Sequence, residues 1–121
     1  MKIAITATGI DLDSEIDPRF GRCRYLIIVD LDTMQFEAVE NTGALSSGGA
    51  GIATGQLVAS KGIKAVLTGN CGPNAYKTLT TAGIKVVTGI AGTVRQAAQD
   101  FKAGLLKASS EPSVGAHHGS N

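Results

Sequence analysis

A chain of 121 residues has room for one domain and one principal site. Eleven Lys and Arg against ten Asp and Glu leave a formal charge of +1, too weak a field for a general nucleic-acid or acidic-membrane binder. Hydrophobic residues make up 43% of the chain, aromatics 4%, and Trp is absent, which excludes a platform of base-stacking rings and leaves an aliphatic core.

No run of about 18 apolar residues occurs, so no membrane span is expected. The start, Met1 to Ala7, carries one Lys and a short apolar stretch and reads as a first buried strand rather than a signal peptide. Two cysteines are too few for a disulfide framework, and a reducing cytoplasm is the expected setting.

In chain order, residues 2 to 7 predict a strand, followed by a long polar loop from Gly9 to Cys23. Tyr25 to Leu31 is nearly continuously apolar and predicts a central strand. Asp32-Thr33 turns the chain into Met34 to Glu40, whose alternation suits a strand with one wet face, so the two form a hairpin. Asn41 to Gly51 holds four glycines and reads as irregular. A helix is predicted from Ile52 to Lys61 with Gly62 as its cap, then a strand over 64 to 68. A second helix runs from Asn74 to Ala82 behind Pro73, and Lys85 to Thr88 is the last strand. Thr93 with Gln96 starts a third helix, with Val94, Ala97, Ala98, Phe101 and Leu105 as its buried stripe.

Gly62-Ile63-Lys64 followed by Thr68-Gly69 and Gly72 is echoed about 20 residues later by Gly83-Ile84-Lys85, Thr88-Gly89 and Gly92. Two such helix-end, strand, glycine-loop units in tandem predict adjacent parallel strands with right-handed crossovers. With the antiparallel hairpin this gives an α/β fold, a mixed five-stranded sheet with helices on both faces. The body is expected over 1–107, and 108–121 reads as a disordered tail, because nothing apolar anchors it.

One sheet edge is predicted to gather the loop after the first strand, the 41–51 segment, Gly69 to Asn74 and Gly89 to Thr93. Cys71 precedes a helix, where the dipole favours a thiolate. It can be read as a metal or cluster ligand, an anchoring thiol or a small buried side chain. Cys23, between Arg22 and Arg24, admits the same readings. Two thiols 48 positions apart match no zinc spacing. Glycine-lined helix starts also bind anions through backbone amides, with Arg19 and Arg22 as added charge. Neither dinucleotide nor P-loop spacing occurs. Asp11, Asp13, Glu15 and Asp17 lack a calcium-loop pattern and read as a solvated loop. The first strand holds no acid for two-metal nuclease chemistry. The only histidines are His117 and His118 in the tail, so a Ser-His-Asp or Cys-His arrangement on the body is excluded.

Asp17-Pro18-Arg19-Phe20-Gly21-Arg22-Cys23, Gly49-Ala50-Gly51-Ile52, Gly69-Asn70-Cys71-Gly72-Pro73-Asn74-Ala75 and the stretch from Ala82 to Val94 together resemble the dinitrogenase iron-molybdenum cofactor biosynthesis family over roughly residues 1 to 106. The resemblance implies a ribonuclease-H-like α/β fold without the nuclease acids. It also implies a binding or carrier protein, not an enzyme, for a molybdenum-containing metal-sulfur cluster, with Fe or Cu as the second metal. Donor and acceptor proteins for the cluster are the implied partners, with no nucleic acid or membrane, in a monomer or weak oligomer. The cleft is expected to use Arg19, Phe20, Arg22, Gly69, Asn70, Cys71, Gly72, Asn74, Gly92 and Thr93, with Cys71 and Cys23 as metal ligands. Nitrogenase-associated members often carry histidines in these loops; their absence here leaves thiolates, amides and arginines. A regulatory or scaffold module and a small-anion or phosphate-using enzyme are the alternative functions.

Overall fold

The computed structural model describes residues 1–46 and 48–113. Strands β1 (Lys2–Ala7), β2 (Tyr25–Asp30), β3 (Phe36–Glu40), β4 (Ala65–Leu67) and β5 (Lys85–Val87) form one sheet in the order β3-β2-β1-β4-β5. β1 pairs antiparallel with β2 and parallel with β4, while β4 and β5 are parallel, as the repeated units require. Helices α1 (Ala50–Ala59), α2 (Pro73–Thr81) and α3 (Val94–Lys102) complete the expected α/β fold.

The pleat sends alternate residues of β1 and β2 into two cores. Ile3, Ile5, Ile27 and Val29 face Val94, Ala97 and Ala98 of α3. Ala4, Leu26 and Ile28 share the other core with Val58 of α1 and with Ala75 and Leu79 of α2. α1 and α2 therefore lie side by side on one face, and α3 packs on the other. Gly62 and Gly83, at φ of 72° and 80°, end α1 and α2 in the left-handed conformation that a side chain resists.

Several boundaries differ from the sequence reading. The 41–51 segment is more regular than its glycines indicate: a 3-10 turn spans Thr42–Leu45, and α1 starts at Ala50 instead of Ile52. Asn41 organises this stretch. Its side-chain oxygen accepts from Gly43 N at 3.1 Å and its amide donates to Cys23 O at 2.9 Å. β3 begins two residues late, because Met34, at φ 60°, completes the turn that bonds back to Asp30. Nor does Leu105 join the α3 stripe; the helix ends at Lys102 and Leu105 is exposed.

The tail expected from residue 108 is hydrogen-bonded to the body at Ser109 and Ser113. His117 and His118 lie outside the described residues. No helix among the described residues is long and apolar enough to cross a membrane.

Candidate functional site

A cleft of about 610 Å³ opens where the loop after β1, the first turn of α1 and the first turn of α2 meet. Of the site residues read from the sequence, Arg19, Phe20, Arg22, Asn70, Gly72 and Asn74 line it. Three local devices hold these walls. Asp17, buried, accepts from the Arg19 amide at 3.0 Å and fixes the turn that carries Arg19 and Phe20. Phe20 N then donates to Asn70 O at 3.1 Å, while Asn70 N donates to Pro18 O at 2.7 Å, tying that turn to the β4–α2 loop. Gly69 belongs to this junction rather than to the cleft: a Cβ there would stand 2.7 Å from Pro18 Cα. On the opposite rim the Arg22 guanidinium donates to Ala44 O at 3.3 Å.

Both helices that open on the cleft begin at a glycine N-cap, Gly49 for α1 and Gly72 for α2. Glycine has no side-chain oxygen to accept from the orphan amides of a first helical turn. Two positive helix ends, the guanidinium groups of Arg19 and Arg22 and the side chains of Asn70 and Asn74 thus border one space, and among the described residues no Asp or Glu lines it. Asp17 only partly balances this charge, since its contact with Arg19 Nε is 3.6 Å and the Arg19 side chain is 65% exposed.

Two expected features lie elsewhere. The start of α3 is already satisfied: Thr93 Oγ1 accepts from Gln96 N, and the amides of Val94 and Arg95 donate to Ser14 O and Leu12 O. Gly92 O accepts from Ile16 N. Gly92 and Thr93 therefore fasten the first loop to α3, and neither lines the cleft.

The cysteines also need correction. Cys71 and Cys23 are completely buried in the core behind Phe20, and neither lines the cleft. Desolvation pushes each thiol up from 9.0 to about 12, and the negative charge of Asp17 adds to the effect at Cys23. The helix dipole was expected to favour a Cys71 thiolate, but burial outweighs it. Among the described residues no group of three or more His, Cys, Asp or Glu is placed to hold a metal ion. Direct ligation through Cys71 and Cys23 would require breaking the core open.

Gly21, Gly48 to Ile52, Pro73, Ala75 and Ser113 also line the cleft, and of these only Ile52, Ala75 and Ser113 lie outside the segments expected at this edge. The glycine N-caps carried a legible signal; Ser113 carried none.

The molecule is thus an α/β domain in which two glycine-started helices and two arginines surround one cleft. The chain belongs to the dinitrogenase iron-molybdenum cofactor family, whose profile matches residues 1–104. The apo form of the orange protein from Desulfovibrio gigas is 43% identical, with a TM-score of 0.90 over 93% of this chain and 96% of that one. A Thermotoga structure bearing the NifB name is 39% identical, with a TM-score of 0.76 over 88% and 91% of the two chains. An uncharacterized protein of Methanocaldococcus jannaschii is 27% identical, covering 88% of this chain and 94% of its own length.

Proposed function

We propose that this protein binds or carries an anionic molybdenum-containing metal-sulfur cluster, or a precursor of one, without needing to catalyse a reaction. The observation that carries this reading is the pairing of two glycine-started helix N-termini with Arg19 and Arg22 on a cleft that, among the described residues, no acid lines. Family membership supplies the chemical class of the cargo.

The donor set fits such a cargo in a particular way. With the thiols buried, the cleft offers N–H groups and guanidinium charge, which bind the outer sulfides of an anion and not its metals. The cluster must therefore arrive with its own ligands complete, whether its second metal is Fe or Cu. Phe20 and Ala75 supply an apolar floor for large, weakly hydrated sulfides. Leu45, 85% exposed beside the Ala44 carbonyl that anchors Arg22, gives the rim an apolar contact for donor and acceptor proteins. Two free cysteines suit the reducing cytoplasm proposed as its setting.

The test is anaerobic incubation with tetrathiomolybdate plus iron or copper, followed by gel filtration, elemental analysis and a visible spectrum. Stoichiometric molybdenum with charge-transfer bands, retained in Cys71→Ala and weakened in Arg22→Ala, is the expected result. Absence of specific uptake by the wild-type chain would sink the reading.

A further inference from the structure

The cleft has a wall contributed by the far end of the chain. Beyond α3 the backbone turns at Gly104, and Ser109 reaches the outer edge of β5. There its amide donates to Val86 O at 2.7 Å and its carbonyl accepts from the Tyr76 hydroxyl at 3.0 Å. The Ser109 hydroxyl accepts from Thr88 N at 3.2 Å and shares a 2.7 Å hydrogen bond with Thr88 Oγ1. Four residues on, Ser113 pairs with Cys71 in both directions. Its amide donates to Cys71 O at 2.8 Å, and its hydroxyl accepts from Cys71 N at 3.0 Å.

These bonds fall at a sensitive place. Cys71 immediately precedes Gly72, the N-cap of α2, and Ser113 itself lines the cleft. The strap of residues 109–113 thus clamps the loop that aims α2 at the cleft and closes one side of it. Between its two serines the strap is held weakly: Ser110, Glu111 and Pro112 are exposed. Ordering five backbone residues has an entropic cost comparable to the net gain from so few hydrogen bonds. Such a segment sits at the low end of local stability.

We propose that the strap is a working part of the anion site, with Ser113 as a positioning residue that acts through the Cys71 backbone. Docking of the strap and binding of an anion in the cleft reinforce each other. By linkage the effect is reciprocal: a docked strap raises affinity, and a bound anion holds the strap down. Ser109 makes the idea separable from direct contact, because it anchors the strap at β5 without lining the cleft. The inference rests on the anion-binding reading of the cleft.

The experiment measures tetrathiomolybdate affinity by anaerobic equilibrium dialysis for the full chain and for Ser109→Ala, Ser113→Ala and Ser113→Thr. Hydrogen exchange at the Ser109 and Ser113 amides is followed with and without the anion. Both alanine variants are expected to bind about 10-fold more weakly with an unchanged melting temperature, while Ser113→Thr, which keeps the accepting oxygen, binds like wild type. The two strap amides are expected to exchange more slowly with the anion present. If wild type binds but Ser109→Ala binds equally well and strap exchange ignores the anion, the coupling is overturned and the cluster reading stands. If wild type does not bind, both fall together.

Discussion

Gly21 and Gly51 meet backbone to backbone: a Cβ on Gly21 would lie 2.8 Å from both the Cα and the nitrogen of Gly51. The loop that carries Arg19 and Arg22 is thereby pressed against the first turn of α1, which sets the width of the cleft. Because the obstruction is main chain, it cannot move aside as a flexible side chain would. Gly21→Ala is expected to cost about 1–3 kcal/mol in stability and to weaken anion binding. Urea denaturation together with equilibrium dialysis would check both; an unchanged affinity would show that α1 does not help form the site.

The thiols give a pH prediction with a definite sign. In the unfolded chain each ionises near 9.0, whereas in the fold burial raises it to about 12. The fold therefore disfavours the thiolate, and its stability is unaffected by these groups below pH 9. As pH rises from about 9 to 12, the unfolded state releases the protons first and stability falls. Denaturation midpoints measured from pH 7 to 11 should decline in the alkaline limb, and less steeply in Cys71→Ala. At pH 8 both thiols should resist a disulfide reagent until the protein is unfolded.

Thr93 sets the side-chain-capped start of α3 apart from the glycine-capped starts of α1 and α2. Its hydroxyl caps α3 by accepting from Gln96 N at 3.2 Å, on the face of the sheet opposite α1 and α2. Thr93→Ala is expected to cost about 1 kcal/mol and to leave tetrathiomolybdate affinity within a factor of about two. Thermal melts and dialysis on one preparation would decide this; a large loss of affinity would return the α3 start to the site.

Arg22 predicts ionic-strength dependence. Its guanidinium is exposed, so its pull on an anion should weaken as salt shortens the screening length to about 8 Å at 0.15 M. Arg22→Ala is expected to bind about 10-fold more weakly at low salt and to show a shallower salt dependence. Arg22→Lys keeps the charge and should recover part of the loss. Parallel salt titrations of the three proteins test this.

The sheet was legible because its cues are local. Apolar runs, the Asp32-Thr33 turn and the repeated Gly-Ile-Lys units specify strands and their directions without knowledge of distant contacts. The cleft was legible in part for the same reason: the Arg19–Arg22 and Asn70–Asn74 segments lie in loops whose position follows from strand order. What sequence reasoning missed depends on competition between neighbours. Cys71 stands at a helix start, which favours a thiolate, yet its side chain turns into the core with Leu79 and Phe20 and desolvation prevails. Thr93 resembles an anion-binding helix start, but the carbonyls of Leu12 and Ser14 already take its amides. Ser109 and Ser113 have no apolar signature because hydroxyls and backbone hold the strap in place.

Burial of both thiols has a consequence for how a cargo would leave. Molybdenum and copper are thiophilic, and a cysteine within reach would exchange with the sulfides of a cluster and make its departure a ligand substitution. With its own sulfur sealed behind Phe20, this cleft would hold a cluster of the proposed kind without a cysteine bond to its metals. On the proposed reading, handing it on would break no metal-sulfur bond, and a more cationic partner surface would draw the cluster out intact, as salt elutes an anion from an exchange resin.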